Sequence, residues 1–261
     1  MYQITQLYIY PVKSLGGIAL KESRVEARGL QHDRRWMLCD ENNQFITQRK
    51  FAHLALFKLQ LIDSGFQIEF QGNYIQIPYS INGDRIQVKV WEDTCDAIEY
   101  PEASAWFTKL LSITCKLCYM PNDTKRIVDE KYAGSNQINS FSDGFPILIA
   151  GQQSLDFLNQ KLKQPIDINR FRPNMVFDGG SAYDEDSFSM FRINDVLFKV
   201  VKPCARCQVI GIDQYTSTVN LEPLSVLSSY RNVNNKVLFG QNVIVLQEDG
   251  LIKVGNQLIL H

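Results

Sequence analysis

The chain has 261 residues, 45% hydrophobic and 21% charged, which is the balance of a globular protein able to bury a large core without staples. Its 27 Lys and Arg offset 28 Asp and Glu, so no global charge draws it to nucleic acid or to a membrane surface, and any anion site must be a local cluster. Residues 1–11 lack the basic start, apolar core and cleavage site of a signal peptide, and no apolar run is long enough for a bilayer span; a cytoplasmic address is the expectation.

Taken in chain order, the first part reads as β. Tyr2–Tyr10 alternates as a strand and ends at Pro11. Arg35–Asp40 and Gln44–Gln48 flank a Glu41-Asn42-Asn43 turn, a hairpin pattern. Leu54–Leu61, Gly65–Phe70 and Tyr74–Ile77 continue the short strands, and Asn82-Gly83-Asp84 turns the chain into Arg85–Trp91. Helical spacing then appears over Glu102–Leu111, with Ala105, Trp106 and Leu110 on one face, followed by a strand at Ile113–Tyr119. Pro121–Asn139 is polar and irregular and reads as a linker or mobile loop. Ile147–Ala150 is an apolar strand. Ser154–Leu162 reads as a helix capped by Ser154, and Glu222–Arg231 as a helix with Pro223 in its first turn. Asn174–Phe177, Val196–Val201, Cys207–Ile212, Val243–Leu246 and Gln257–Leu260 read as strands.

Six cysteines without an export signal read as free thiols. Four of them form two C-x-x-C pairs. Cys115 and Cys118 fall within one strand, where residues three apart face opposite sides, so they join Cys39 and Cys95 as expected core residues. Lys202-Pro203-Cys204-Ala205-Arg206-Cys207-Gln208 is different: a Pro-led turn between two apolar strands, with a thiol at each end and an arginine inside. Arginine beside a thiol favours the thiolate, the nucleophilic and metal-binding form. A redox C-x-x-C usually opens a helix, and here a strand follows. The bland alternative is that one or both thiols merely fill space.

Other clusters could converge on an anion. Asn169-Arg170-Phe171-Arg172-Pro173-Asn174 groups Arg and Asn donors before a strand. Tyr10-Pro11-Val12-Lys13-Ser14 ends a strand in a lysine and a hydroxyl. His32-Asp33-Arg34-Arg35-Trp36 opens the next, and Arg49 follows Thr47-Gln48. Ser142-Asp143-Gly144-Phe145-Pro146 is either a plain turn or a loop that approaches a ligand, with Asp143 available as an acid or base. There is no G-x-S-x-G, P-loop or G-x-G-x-x-G, and His32, His53 and His261 lack metal-binding spacing.

The ordered set Tyr-Pro-Val-Lys-Ser, Asp-Arg-Arg-Trp, Thr-Gln-Arg, Ser-Asp-Gly-Phe-Pro, Phe-Arg-Pro-Asn and Cys-x-x-Cys resembles the MOSC-domain proteins, in particular the branch of the mitochondrial amidoxime-reducing component and its bacterial counterparts. The resemblance runs from Tyr10 to Ile252-Lys253-Val254-Gly255. It implies an α+β, predominantly β fold, with an N-terminal β-barrel-like domain over residues 1–120 and a MOSC β-barrel over 121–261. It implies molybdenum cofactor in the cleft between them. The metal ligand would be Cys207. Pterin and phosphate contacts would fall to Lys13, Ser14, Arg34, Arg172, Asn174, Ala205 and Arg206, joined by Asp143, Gly144 and Asn242.

The activity so implied is reduction of N-hydroxylated or N-oxygenated small molecules, with Cys207 and Asp143 as the catalytic pair. The sequence carries no ferredoxin-like C-x₄-C-x₂-C run and no membrane anchor. Electrons would therefore come from a separate flavin, haem or iron–sulfur protein. Two other functions stay open on the same residues: a sulfur carrier with a persulfide on Cys207, and a non-enzymatic carrier of the cofactor.

Overall fold

A computed structural model describes residues 1–248 and 250–261. Strands dominate, with four helices among the described residues, in agreement with the α+β, predominantly β expectation. Seven strands close into a barrel in the order Ile147–Gly151, Met175–Asp178, Tyr2–Ile9, Gln257–Leu260, Met190–Ile193, Val196–Arg206 and Lys236–Gln247, which returns to Ile147–Gly151. Closure leaves no free edge among them. The one parallel pair, Ile147–Gly151 with Met175–Asp178, is joined through the helix Gln152–Asn159, as a parallel connection requires. Alternation sorts the side chains: Phe191 and Ile193, then Val196 and Phe198, face inward, and the rings of Phe191 and Phe198 stack at 5.1 Å. The chain's first strand is thus a stave beside its last.

The N-terminal half builds a five-stranded sheet in the order Arg85–Val90, Asp93–Glu99, Cys115–Tyr119, Trp36–Asp40 and Val12–Lys13, with a meander of Lys58–Ile62, Gly65–Phe70 and Asn73–Pro78. The helix Pro101–Leu111 starts on Pro101, stops at Ser112 in the left-handed region (φ 55°), and packs Phe107 against Phe57 at 5.4 Å. Cys115 and Cys118 are both buried and belong to two different apolar clusters, one on each side of their strand. Among the described residues no helix is long and apolar enough to cross a membrane.

Several segments depart from the sequence expectations. Gln44–Gln48 is not a strand; only Gln44 and Phe45 bridge to neighbours, and the chain then turns into the cleft. The first half of Leu54–Leu61 is a 3₁₀ turn, Ala52–Leu56, because two buried residues there are adjacent rather than alternating. The helix expected at Ser154–Leu162 spans Gln152–Asn159, and Ser154 does not cap it: its hydroxyl is buried and donates to Glu185 at 2.8 Å. Pro121–Asn139 is no linker. It contains the pair Arg126–Ile127 with Ile138–Asn139 and a short helix, Glu130–Ala133, and its Thr124, Arg126 and Asn139 are buried. Most relevant to function, the strand expected to end at Val201 runs on to Arg206. It carries irregularities of register between Val200 and Lys202 and between Pro203 and Ala205, which is how a proline survives inside it. The strand expected at Cys207–Ile212 is instead a 3₁₀ turn, Gln208–Gly211, whose apolar residues imitate a strand pattern.

Candidate functional site

Where the N-terminal sheet meets the barrel there is a cleft of about 320 Å³. Lys13, Ser14, Arg34, Asp143, Gly144, Arg172, Asn174, Ala205, Arg206, Cys207 and Asn242, the residues the family resemblance marked, all line it, whereas Arg170 of the same clusters pairs with Asp213 and Arg35 faces elsewhere. Several of the lining residues stand at the end of an element. Lys13 closes the strand Val12–Lys13, Arg34 leaves the turn before Trp36–Asp40, and Arg172 follows the 3₁₀ turn Ile168–Phe171. Ser14, Arg34 and Arg172 hold positive φ angles of 71°, 48° and 54°. Such backbone is costly for non-glycine residues and gathers at sites where the surroundings enforce it.

Six cationic side chains, Lys13, Arg34, Arg49, Arg172, Lys202 and Arg206, line the cleft with a single carboxylate, Asp143. A nearly neutral protein has therefore concentrated positive charge in one place. Arg34 is anchored by buried Asp33 at 2.6 Å and by the Asn174 side chain at 3.1 Å, and Asp33 also accepts from the Tyr10 amide at 2.8 Å. The guanidinium carbons of Arg34 and Arg172 each lie 4.2 Å from the centre of the Tyr10 ring. Among the described residues the Arg172 guanidinium has no ion pair and one side-chain partner, Gln214 at 3.5 Å, and its Nη2 is buried without an acceptor. Burial pushes this guanidinium down to about 10. Arg206 donates to the Phe171 carbonyl at 2.7 Å, while its Nε is likewise buried and unpartnered. Buried cationic donors without a protein acceptor are poised to take an anion.

Asp143 and Lys13 form an ion pair in the cleft lining, the lysine buried and the carboxylate toward the mouth. Lys13 Nζ donates to the Asp143 carboxylate at 2.5 Å and to the Phe141 carbonyl at 2.7 Å. Burial lowers the lysine, and Asp143 counteracts it. The Asp143 carboxylate itself is 71% exposed at the cleft mouth. Crowding by the cleft walls works to raise it, but Lys13, the Trp91 indole and Arg49 outweigh that and hold it well below the usual carboxylate range. Held so, the carboxylate favours its ionised form, the partner Lys13 requires.

The two cleft thiols differ. Cys207 is exposed, and Cys204 is half-buried. The guanidinium expected to favour a thiolate faces Cys204, with Arg206 Nη1 2.9 Å from its sulfur, because the strand carries the chain through this motif without a turn. Asn174, expected to meet a ligand, is 1% exposed and internally engaged: its Nδ2 donates to the Tyr8 carbonyl, and its Oδ1 accepts from Leu148 and Arg34. It fixes Arg34 in place. Among the described residues no group of three or more His, Cys, Asp and Glu is placed to hold a metal ion.

Residues the motifs did not mark complete the site. Gln48 donates to the Ser14 carbonyl at 2.8 Å and pairs with Gln214 across the two halves of the molecule. Trp91 donates to Asp143 at 3.1 Å and lies under Arg49 at 4.2 Å. Lys202 lies over Tyr132 at 4.0 Å. Of these, Gln48 and Arg49 stand in the Thr47-Gln48-Arg49 stretch and Lys202 opens the Cys204–Cys207 segment; Trp91, Tyr132 and Gln214 had no sequence signal.

Residues 1–114 match the family model described as the MOSC N-terminal beta barrel domain, and residues 136–259 match the MOSC domain. The human mitochondrial amidoxime-reducing component 1 is 31% identical over 98% of this chain and 82% of that protein; the mouse counterpart is 28% identical over the same shares. The rice molybdenum cofactor sulfurase is 28% identical over 98% of this chain, but the chain spans only 34% of that protein.

Proposed function

This chain belongs to the MOSC-domain family, and from that premise we propose that it is a molybdenum-cofactor-binding oxidoreductase that reduces N-hydroxylated or N-oxygenated small molecules with electrons from a separate protein. The supporting observation is the union in one cleft of six cations, unpartnered guanidinium nitrogens and one exposed thiol. The residues fit the cofactor, which is anionic at both its phosphate and its dithiolene. Among the described residues no protein ligand set of three or more gathers here, which suits a metal that brings donors of its own and takes one soft thiolate from the chain.

When bound, the cofactor supplies two-electron redox chemistry at its metal. The chain's own residues bind and orient it. Arg172 and Arg206 have the free donors for a phosphate or a pterin edge, Lys13 and Ser14 line the cleft, and Ala205 offers backbone at the strand end. Asn242, whose amide donates to the Lys202 carbonyl at 3.1 Å, fixes the opposite strand. Cys207 would ligate the metal. The overall change converts R–NHOH, two electrons and two protons into R–NH₂ and water. Asp143 is assigned to holding Lys13 rather than to delivering a proton. The same proposal includes a division near residue 120 and a cytoplasmic address.

Cys207→Ala tests the reading. In a host that makes the cofactor, wild type should carry near-stoichiometric molybdenum and pterin. The variant should lose molybdenum and fall to background in N-hydroxyl reduction, with stability changed by no more than about 0.5 kcal/mol because the thiol is exposed. Full activity in Cys207→Ala would falsify it. The likeness to the sulfurases favours a second reading, a persulfide carrier on Cys207. Mass spectrometry finding an extra sulfur on Cys207 in protein without molybdenum would select it. Stoichiometric cofactor without turnover would select a carrier.

A further inference from the structure

Arg126 carries no sequence motif and does not line the cleft, yet it controls the loop that does. It is 5% exposed. Its Nε donates to the Asp93 carboxylate at 2.8 Å, its Nη1 to the carbonyls of Ser140 at 2.9 Å and Ser142 at 2.6 Å, and its Nη2 to the carbonyl of Asp143 at 2.8 Å. With Lys13 on the Phe141 carbonyl, four consecutive carbonyls are drawn onto buried cations. Among the described residues every peptide bond is trans, and in a trans peptide the N–H points away from the C=O that precedes it. Drawing the Ser142 and Asp143 carbonyls to Arg126 therefore turns the amides of Asp143 and Gly144 to the other side. Among the described residues neither amide has a protein acceptor, and nothing lies within 4 Å of where a Cβ on Gly144 would stand.

We infer that Arg126 is a positioning residue that turns the Ser142–Gly144 backbone so that the amides of Asp143 and Gly144 form a cradle for an oxyanion, a phosphate group in particular. Successive N–H groups facing one way make such a cradle, whereas the opposite peptide orientation would present carbonyl lone pairs to the anion. The inference rests on reading the cleft as an anion site. The Asp143 carboxylate is drawn off by Lys13 and by Trp91 Nε1. One hairpin, Arg85–Val90 with Asp93–Glu99, braces the loop twice, through Trp91 at its tip and through Asp93 on Arg126.

The experiment is a titration of ¹⁵N-labelled protein with inorganic phosphate, comparing wild type, Arg126→Gln and Asp93→Asn. In wild type the Asp143 and Gly144 amides should shift saturably. Arg126→Gln should weaken phosphate binding by about tenfold or more, with the barrel-strand amides unmoved, and Asp93→Asn by a smaller factor. Should Arg126→Gln fail to fold, Arg126→Lys takes its place with the same expectation, since one ammonium cannot hold three carbonyls. The inference is overturned if phosphate moves other cleft residues but not Asp143 and Gly144, or if a folded Arg126 variant binds phosphate as wild type does. Pterin content is read separately: phosphate binding in protein that never acquires pterin leaves the cradle standing and removes the cofactor reading.

Discussion

Arg34 and Arg35 are neighbours in sequence and enter two different cavities. Arg34 faces the cleft, tied to Asp33 and Asn174, among guanidinium groups whose nitrogens are partly unclaimed. Arg35 faces a second cavity of about 440 Å³ with Arg28, His32 and Tyr79. There the acceptors are mostly main chain. Arg28 donates to the carbonyls of Asn122, Thr124 and Asn139, and Arg35 to the Met120 carbonyl and the Asn122 side chain. The segment after Met120 is folded around these two cations, as the 140–143 loop is folded around Arg126. Buried charge thus serves two ends here. In the second cavity the terminal nitrogens of Arg28 and Arg35 go mostly to carbonyls and hold the backbone, although Arg35 Nε is buried without a partner among the described residues; in the cleft Arg172 Nη2 and Arg206 Nε are left unpartnered where they line a space an anion can enter.

The largest effect should come from the carbonyl-bound side. Arg35→Ala leaves the buried Met120 carbonyl without a donor and should cost about 3 kcal/mol, lowering Tm by about 10 °C in a chain of this size. Phosphate affinity should stay close to wild type. Arg172→Gln should do the reverse: stability within about 1 kcal/mol of wild type, since Arg172 makes no ion pair among the described residues, and phosphate affinity lower by about tenfold. Thermal denaturation and phosphate titration on both variants check this. Destabilisation by Arg172→Gln with unchanged affinity would dissolve the distinction between the two cavities.

How far this was legible in the sequence follows from the kind of contact involved. Residues at strand ends and turns, such as Lys13, Arg34, Arg172 and Arg206, stand in local motifs, and the cleft gathers them. The two C-x-x-C pairs show the limit. Period-two alternation places Cys115 and Cys118 on opposite faces, and they occupy different clusters. It fails at Cys204 and Cys207, because irregular register against Lys236–Gln247 re-aims the chain, and no local pattern encodes that. The Asp93–Glu99 strand was missed because its two-residue turn is Trp91-Glu92, with Trp91 at φ 58°, where Asn-Gly would be the usual signal. The polar stretch 121–139 looked like a linker because its hydrogen-bonding partners, Arg28 and Arg35, lie some ninety residues away. A far longer separation, Tyr2 against Leu258, hides the first strand's place beside the last.

The smallest effect probes the field inside the second cavity. His32 stacks on Tyr79 at 4.0 Å, and burial, then Arg35, push its imidazole down to about 4. Above about pH 6.5 the ring is neutral in both the folded and unfolded chain, so stability does not depend on it. As pH falls from about 6.5 to about 4, the unfolded chain takes up a proton that the folded chain refuses, and stability is lost across that window. The loss should be about 1–2 kcal/mol, reduced from the full linkage value because the ring is only partly buried. His32→Asn keeps a residue that tolerates the positive φ of 68° at this position and removes the titration. At pH 7 it should be slightly less stable than wild type for want of the ring stack. By pH 4.5 that gap should close or invert, and Arg35→Ala should shrink the wild-type slope. A gap that stays constant between pH 7 and pH 4.5 would mean that the imidazole titrates normally, and that the Arg35 side is no more cationic than open solvent.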